Sequence, residues 1–178
     1  MKFKIFKFKK VKSTNNTAIR IIKNSNIEYG MIISEDQNHG KGQYGKKWIS
    51  YKGNLFISFF FKLENLTISL KQLTKLNCLM VKKLLSIYYR KKIIFKKPND
   101  LLIDKKKICG ILQETLTKFN KRYIIVGIGI NLIKSPYFKN YPTTNLYELM
   151  GKKVSKNQIE LQLKKIFEFK LTKLYKQG

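Results

Sequence analysis

The feature that most restricts the fold of this chain is a glycine-rich segment that leads into a strand rather than a helix. Gly40, Gly42 and Gly45 match the pattern G-x-G-x-x-G, which marks a dinucleotide-binding fold only where a strand precedes it and a helix follows directly. Here the next apolar run, Asn54–Phe61, is rich in β-forming residues and too short for that helix. The doubly wound dinucleotide-binding fold is therefore excluded, and we interpret the glycines as a loop whose backbone can wrap closely round a ligand.

The charge of this glycine loop indicates the kind of ligand that it suits. Its lysines bring positive charge to a stretch of exposed backbone N–H groups, and that combination favours a ligand that is, or becomes, anionic. They are Lys41, Lys46, Lys47 and Lys52. A flexible basic hairpin loop without a ligand explains the glycines equally well.

The order of strand-like and helix-like segments predicts the fold class. Strands are predicted over residues 2–11, 29–34, 54–62, 93–103 (interrupted at 98–100), 107–116 and 122–132. Helices are predicted over residues 14–23, 69–90, 144–150 and from 155 onward, with a turn at 63–67. Because strands follow strands and helices stand between the groups, we expect an α+β fold, a mixed, mainly antiparallel β-sheet packed with helices. No repeat or linker divides residues 1–178, so a single domain is predicted.

Polar residues that precede the helices predict their N-caps. The run Ser13-Thr14-Asn15 precedes the first helix, Thr144 the third and Ser155 the last. The last helix should bury one face, formed by Ile159, Leu163, Ile166 and Leu174.

The formal net charge of +28 allows two interpretations. One is a nucleic-acid-binding module, because lysine and arginine release counterions from phosphates. The other is compositional drift, because Lys, Ile, Asn, Phe and Tyr, which have AT-rich codons, are abundant and the lysines are spread along the chain. Only Arg20 and Arg90 supply the residue that is preferred for base and phosphate contacts. We favour drift.

Cysteine usage and hydropathy favour a cytoplasmic protein. Cys78 and Cys109 form neither a disulfide framework nor a zinc-ligand spacing, and the single His39 cannot complete a metal cluster with them. No metal-binding residue is therefore predicted. No apolar run approaches the ~18 residues that span a membrane, and the N-terminal alternation of Lys with Phe or Ile is not a signal peptide. We expect no membrane partner.

Acidic residues are scarce, and half of them lie in or beside three segments of the chain. The segments are the glycine loop, Lys96–Asp100 and Lys107–Glu114, and the acids are Glu35, Asp36, Asp100, Asp104 and Glu114. Gly127 and Gly129 stand inside a predicted strand, where glycine often marks the close approach of a ligand or another backbone. Together these features predict a site for a charged ligand.

Five motifs that occur in one order give the chain a specific resemblance. They are Ser13-Thr14-Asn15, Gln37-x-x-Gly40-Lys41-Gly42 with Trp48, Lys96-Lys97-Pro98-Asn99-Asp100, Lys107-Ile108-Cys109-Gly110-Ile111-Leu112, and Gly127-Ile128-Gly129-Ile130-Asn131. Over about residues 10–175 the chain resembles the catalytic core of the biotin protein ligases, or biotin–[acetyl-CoA-carboxylase] ligases. The family patterns are S-T-N, Q-x-x-G-R-G-R-x-G-R-x-W, K-W-P-N-D, K-x-x-G-I-L and G-I-G-I-N.

The resemblance implies a fold and a reaction. The fold is a mixed sheet with helices, similar to the catalytic domain of class II aminoacyl-tRNA synthetases. The reaction joins biotin and ATP, with Mg²⁺, into biotinyl-5′-AMP and pyrophosphate. The biotinyl group then passes to one lysine of a biotin carboxyl carrier protein, a subunit of acetyl-CoA carboxylase. Many family members without a DNA-binding region form homodimers, but no sequence pattern decides this here.

The resemblance also assigns roles by position. Lys107 matches the family lysine that bridges the biotin carboxylate and the α-phosphate, and Asp100 is expected to orient or deprotonate the incoming lysine amine. The residues expected to bind biotin are Ser13, Thr14, Asn15, Gln37, Lys41, Gly42, Gln43, Lys107 and Gly110. Those expected to bind ATP or the adenylate are Gly40, Lys46, Trp48, Lys96, Asn99 and Asn131, with Glu114 as a further candidate.

The chain departs from the family patterns in the loop and in the third motif. Lys41 and Lys46 keep the charge of the family arginines without their planar fork, and Gln43 loses the charge, so we expect weaker retention of the adenylate. Lys97 replaces the tryptophan of K-W-P-N-D, which removes a hydrophobic wall. We expect neither an N-terminal helix-turn-helix, and hence no specific DNA binding, nor a C-terminal SH3-like domain in residues 1–178.

Three alternatives stay open at this point. One is a degenerate, inactive ligase that still binds biotin or the carrier; Lys107 and Asn99-Asp100 argue against it, whereas Gln43 and the expected lack of the C-terminal domain favour it. A lipoate– or octanoate–protein ligase shares the fold, but its loop would be of the type R-R-x-S-G-G-G, which this loop is not. A basic nucleic-acid-binding module would use the charge of +28 and would bind unrelated DNA or RNA with a strong salt dependence.

Overall fold

A computed structural model describes residues 1–63 and 68–176, and these form one seven-stranded sheet with helices on both of its faces. The strands are β1 (Lys4–Val11), β2 (Tyr29–Gln37), β3 (Leu55–Lys62), β4 (Ile93–Lys96), β5 (Asp100–Ile103), β6 (Lys106–Lys118) and β7 (Lys121–Ile130). The helices are α1 (Thr14–Asn24), α2 (Leu70–Tyr88), α3 (Leu146–Met150) and α4 (Lys156–Lys176), with a single 3₁₀ turn at Gln43–Gly45. Apart from Leu63, the turn predicted at 63–67 lies outside the described residues.

The sheet is mixed and mainly antiparallel, which confirms the predicted α+β class. Its strand order is β1-β2-β3-β7-β6-β5-β4. Only β1 and β2 are parallel, because α1 connects them as a crossover, and every other neighbouring pair is antiparallel. No helix in the described ranges is both long and apolar enough to cross a membrane.

One strand prediction was wrong. The segment 93–103 is not one interrupted strand but two antiparallel strands, β4 and β5, in which Ile93 pairs with Ile103 and Lys96 with Asp100. The chain reverses at Lys97–Asn99, where Pro98 cannot donate a hydrogen bond to a ladder. This reversal places Asp100 at the start of β5, where it pairs with Gly110 of β6.

Alternation along the strands divides the core into two layers. Odd-numbered residues of β3, such as Leu55, Ile57 and Phe59, face α2 and α4, and Phe59 stacks on Phe167 with ring centroids 4.1 Å apart. The opposite face of β3 carries Phe60, which packs under α1. Each fully buried side chain of this kind stabilises the fold by roughly 1.5–3 kcal/mol, so both faces of the sheet contribute to the core.

The helix caps differ from the prediction at two of the three places. Ser13 stands at the N-cap of α1 but makes no side-chain capping bond. Asn145, not Thr144, caps α3, because its Oδ1 accepts a hydrogen bond from Glu148 N at 2.9 Å. Ser155 caps α4 as predicted, since its Oγ accepts from Gln158 N at 3.3 Å.

The buried face of α4 follows an i, i+4 row. Ile159 and Leu163 are buried as predicted, but the row continues through Phe167 and Leu171. Ile166 and Leu174, which were predicted on the same face, are partly buried and pack against the core beside this row.

Candidate active site

One patch of the sheet is formed by glycines and therefore carries no side chains. Gly110 of β6 pairs with Gly129 of β7, and Leu112 of β6 pairs with Gly127. A Cβ on Gly129 would lie 2.5 Å from the Trp48 ring, and one on Gly127 would lie 2.4 Å from Asn15 Oδ1. Gly127 and Gly129 were expected to mark the close approach of a ligand or another backbone, but the side chains of Asn15 and Trp48 approach them instead. These two side chains form the floor of a pocket beside the N-terminus of α1.

The pocket has a volume of about 930 Å³ and brings together almost all of the predicted site residues. Those that line it are Ser13, Thr14, Asn15, Gln37, Lys41, Gly42, Gln43, Lys46, Trp48, Lys96, Asn99, Asp100, Lys107, Gly110 and Asn131. Gly40 does not line it but supports Trp48, whose backbone N–H donates to Gly40 O at 2.9 Å. Glu114 also lies outside the lining and acts on the pocket through Asn15.

The glycine loop folds back on itself over one side of the pocket. Lys41 and Lys47 form an isolated antiparallel bridge, and Gly42 N donates to Lys46 O at 2.7 Å. Tyr44 stands at the tip with a positive φ of 54° and is 90% exposed. The loop is therefore a small basic hairpin, as one interpretation predicted, and it also lines the pocket, as the other did.

At one end of the pocket, Gln37 connects β2 to the start of α1. Its Oε1 accepts hydrogen bonds from Thr14 N at 2.8 Å and from Thr14 Oγ1 at 3.1 Å. Its Nε2 donates to Ser50 Oγ at 3.2 Å. The run Ser13-Thr14-Asn15, predicted to cap α1, therefore does not cap it with its own side chains. Instead, Gln37 of β2 accepts the hydrogen bond from the backbone N–H of Thr14 at the start of the helix.

The amide of Asn15 ties α1 to the sheet. Its Nδ2 donates to Glu114 Oε2 at 2.6 Å, and its Oδ1 accepts from Ser58 Oγ at 2.5 Å. Asn15 is 2% exposed and Ser58 is fully buried. A buried amide with both ends paired is fixed in orientation, so Glu114 positions Asn15 rather than reaching the pocket itself.

The pocket lining contains an ion pair that lies close to two aromatic rings. Lys107 Nζ lies 2.8 Å from Asp100 Oδ1, and both side chains are largely buried. The same ammonium lies 5.4 Å from the Trp48 ring centroid and 5.5 Å from that of Tyr141. Tyr141 donates its hydroxyl hydrogen bond to Asp100 Oδ2. Burial and this hydrogen bond to a carboxylate raise the pKa of Tyr141 above its ordinary value.

The backbone of Lys107 is fixed by the segment that follows Tyr141. Lys107 N donates to Pro142 O at 2.8 Å, and Lys107 O accepts from Thr144 N at 3.0 Å. Thr143 completes an isolated parallel bridge with Lys107. The loop over residues 134–143 therefore forms a wall of the pocket.

Two asparagines complete the wall near this ion pair. Asn99 Nδ2 donates to Ile111 O at 2.7 Å, which anchors the β4–β5 turn on β6. Asn131 Nδ2 donates to Thr144 O at 3.1 Å, whereas its Oδ1 is buried without a hydrogen-bond partner among the described residues. An unpaired buried acceptor that lines a pocket is available to a ligand donor or a cation.

The pocket is strongly cationic. Asp100 is the one acidic residue in its described lining. Besides Lys107, the lining lysines are Lys41, Lys46, Lys47, Lys96, Lys97 and Lys139. Such a site stabilises negative charge that a ligand carries or develops during a reaction. No group of three His, Cys, Asp or Glu side chains converges on a metal position within the described ranges.

Sequence analysis missed several residues of this pocket. Tyr141, Thr143 and Phe138 line it from the loop after β7, and Ser50 reaches Gln37 from the segment after the glycine loop. These residues belong to no motif. The sequence feature that could have indicated them is that the loop after β7 follows the predicted site residue Asn131 closely.

Comparison with known proteins agrees with this geometry. Residues 7–131 match the family model of the biotin/lipoate A/B protein ligase family. The chain is 29% identical over 152 residues to the bifunctional ligase/repressor BirA of Bacillus subtilis, covering 81% of this chain and 46% of that protein. It is 26% identical over 108 residues to the biotin–[acetyl-CoA-carboxylase] ligase of Paracoccus denitrificans, covering 59% of this chain and 45% of that one. The chain thus spans less than half the length of these two relatives.

A solved structure agrees over nearly the whole chain. The biotin protein ligase from Aquifex aeolicus in complex with biotin and ATP superposes with a TM-score of 0.82 at 30% identity, covering 98% of this chain and 72% of that one. The resemblance inferred from the five motifs is confirmed. The chain belongs to the biotin/lipoate A/B protein ligase family, and its fold is that of the biotin protein ligases.

Proposed function

We propose that this protein is an ATP-dependent ligase that activates biotin as biotinyl-5′-AMP and transfers the biotinyl group to one lysine of a biotin carboxyl carrier protein. The observation that carries the proposal is the Lys107–Asp100 pair, 2.8 Å apart in a pocket whose other charged lining residues, among those described, are lysines. The family membership and the ligands of the Aquifex aeolicus enzyme, biotin and ATP, support it.

In the first half-reaction, a carboxylate oxygen of biotin attacks the α-phosphorus of ATP, and the bond to pyrophosphate breaks. Negative charge accumulates on the α-phosphate and on the leaving group. We assign Lys107 to both the biotin carboxylate and the α-phosphate, because its ammonium is largely buried in the pocket lining and matches the family lysine by position. A fixed cation in a partly buried site lowers the energy of such a transition state.

Magnesium would enter with ATP. Mg²⁺ takes oxygen ligands and is commonly held by one or two protein groups together with phosphates. The unpaired Oδ1 of Asn131 supplies one oxygen of this kind in the pocket wall. The ion would neutralise charge on the phosphates, and we assign no other step to it.

In the second half-reaction, the amine of the carrier lysine attacks the acyl carbon of biotinyl-5′-AMP, an amide bond forms and AMP leaves. The amine must be neutral to attack, so one proton has to be removed. We assign this proton to Asp100, the one carboxylate in the described pocket lining. Asp100 is free to act once Lys107 is engaged by the adenylate.

We test the proposal by measuring ATP-dependent transfer of biotin to a biotin carboxyl carrier domain, together with biotin-dependent pyrophosphate release. Lys107→Ala should lower both rates by about 10²-fold or more, the effect typical for loss of a charge-stabilising group. Lys106→Ala is the matched control, because Lys106 is the adjacent lysine, about half exposed and 3.8 Å from Glu148. Its rates should match those of the wild type.

The outcomes separate this function from its alternatives. Transfer of lipoate or octanoate in place of biotin would assign the chain to the other branch of its family. Salt-sensitive binding of unrelated DNA or RNA without either half-reaction would favour the nucleic-acid-binding function. Equal activity of Lys107→Ala and the wild type would contradict the role of Lys107.

A further inference from the structure

Tyr141 contacts three charged residues of the pocket lining. Its hydroxyl donates to Asp100 Oδ2, while Lys107 occupies the other carboxylate oxygen at 2.8 Å. Its ring lies 4.4 Å from Lys96 Nζ and 5.5 Å from Lys107 Nζ. Asp100 is therefore held by two donors, and one of them, Lys107, has a separate task in the proposed reaction.

The placement of Tyr141 is rigid. The next three residues, Pro142, Thr143 and Thr144, pair with Lys107 through two backbone hydrogen bonds and a β-bridge. The Tyr141 backbone N–H also donates to Phe138 O at 3.3 Å, which closes a turn before it. Since β5 and β6 are neighbours in the sheet, Tyr141, Asp100 and Lys107 are held on three adjoining backbone segments.

Tyr141 stays a hydrogen-bond donor over the physiological range. Burial and the neighbouring Asp100 carboxylate raise the pKa of its phenol above the usual value near 10. The neutral phenol has one O–H donor, and a carboxylate is its strongest available acceptor. The phenol can therefore donate its hydrogen bond to the Asp100 carboxylate throughout the physiological pH range.

We propose that Tyr141 is a positioning residue that keeps the Asp100 carboxylate aimed at the incoming lysine amine after Lys107 has turned to the adenylate. Before the ligands bind, Lys107 and Tyr141 hold Asp100 together. When Lys107 moves to the biotin carboxylate and the phosphate, Tyr141 is the donor that remains on Asp100. This inference rests on the proposed ligase function and adds a residue that belongs to none of the five motifs.

Tyr141→Phe tests this role, since it keeps the ring contacts with Lys96 and Lys107 and removes only the hydroxyl. Transfer from preformed biotinyl-5′-AMP should fall by about tenfold in kcat, with the KM for the carrier within about twofold, because a misaligned base slows proton transfer and not binding. Biotin-dependent pyrophosphate release should stay within about twofold of the wild type. Tyr137→Phe is the matched control, since Tyr137 lies in the same loop and is 89% exposed.

A double variant separates positioning from general damage. If Tyr141 acts through Asp100, adding Tyr141→Phe to Asp100→Asn should change the transfer rate by less than about twofold, because groups that act as a unit are not additive. Multiplicative losses would overturn the proposal, as would equal losses in both half-reactions or a fully active Tyr141→Phe. A wild-type protein without either half-reaction would instead overturn the proposed function, and the role of Tyr141 with it.

Discussion

The indole of Trp48 occupies the space that a side chain on Gly129 would need. A Cβ on Gly129 would lie 2.5 Å from the indole Cε2 and 2.9 Å from Nε1. Trp48 Nε1 is buried and has no hydrogen-bond partner among the described residues. An unpaired buried N–H costs roughly 1–3 kcal/mol. Packing against Gly129, and not a hydrogen bond, therefore holds the indole in place. A hydrogen-bond acceptor on a bound molecule would stabilise the indole N–H.

Gly129→Ala is expected to destabilise the protein by displacing Trp48. The added methyl group would overlap the ring, and overpacking of this kind costs typically 1–3 kcal/mol. Urea unfolding of the variant should show this loss. In a Trp48→Ala background the same substitution should cost much less, because the ring is gone. An equal cost in the two backgrounds would mean that the penalty has another origin.

Asn15→Asp is expected to place two carboxylates against each other. Asn15 Nδ2 lies 2.6 Å from Glu114 Oε2, so the substitution exchanges a donor for a second anion in a buried position. We expect a loss of about 3 kcal/mol at pH 7, the scale of an uncompensated buried charge, in urea unfolding. Asn15→Asp with Glu114→Gln should recover most of it.

The matched control for this substitution is Asn16→Asp, because Asn16 is the next residue of α1 and only partly buried. It should change the free energy of unfolding by less than about 0.5 kcal/mol. A loss as large as that of Asn15→Asp would indicate an effect of charge on the helix and not of the Glu114 contact.

The phenol of Tyr141 is expected to make stability fall at alkaline pH. Its folded-state pKa is raised by burial and by Asp100, so above pH ~10 the unfolded chain loses this proton while the folded chain keeps it. The contribution of this phenol to the free energy of unfolding is complete below its pKa in the unfolded chain. It is lost as the pH rises towards and through its higher pKa in the folded protein.

The measurement is the free energy of unfolding between pH 9 and pH 11, values that bracket the ordinary phenol pKa of ~10. The slope for Tyr141→Phe should be shallower than that of the wild type, whereas Tyr137→Phe should not alter it. A Tyr141→Phe slope equal to that of the wild type would show that Tyr141 titrates alike in both states.

Under the proposed ligase function, the lysines at the mouth of the pocket are expected to speed encounter with a carrier domain whose surface is negatively charged. Lys97 and Lys139 line the pocket and are exposed. Reversing both charges should lower kcat/KM for the carrier by about tenfold at low salt, and the difference should shrink at high salt because ions screen the field.

The control for charge alone is Lys165→Glu with Lys176→Glu, an equal change on α4 at exposed residues outside the pocket. Transfer kinetics over a range of salt concentrations would compare the two double variants. An equal fall in both would indicate that net charge matters and not the position of the lysines.

Sequence patterns predicted the elements well but not the contacts between them. Apolar periodicity placed β3 and α2 within one or two residues of their bounds. The same signal could not separate β4 from β5, because strand residues look alike on both sides of the turn at Pro98. Likewise, polar residues before α1 predicted a helix start, whereas Asn15 reaches Ser58 and Glu114.

The site shows the same limit. Motif resemblance predicted fifteen residues that line the pocket, but other lining residues, among them Phe138, Tyr141 and Thr143, belong to no motif. Tyr141 was invisible to it, because a tyrosine in a loop has no periodicity, and its contact with Asp100 joins positions 41 residues apart. Such a contact depends on sheet register and on the path of the loop, which only the assembled fold defines.

The central position of β3 has a consequence for synthesis of the protein. This strand, with the sequence LFISFFFK, pairs with β2 on one side and with β7 on the other. At about 5–20 residues per second, β7 leaves the ribosome several seconds after β3, and an apolar edge is open to other chains in the interval. We therefore expect the nascent chain, and not the folded protein, to be the aggregation-prone form, which ribosome-bound truncations ending before residue 121 would reveal.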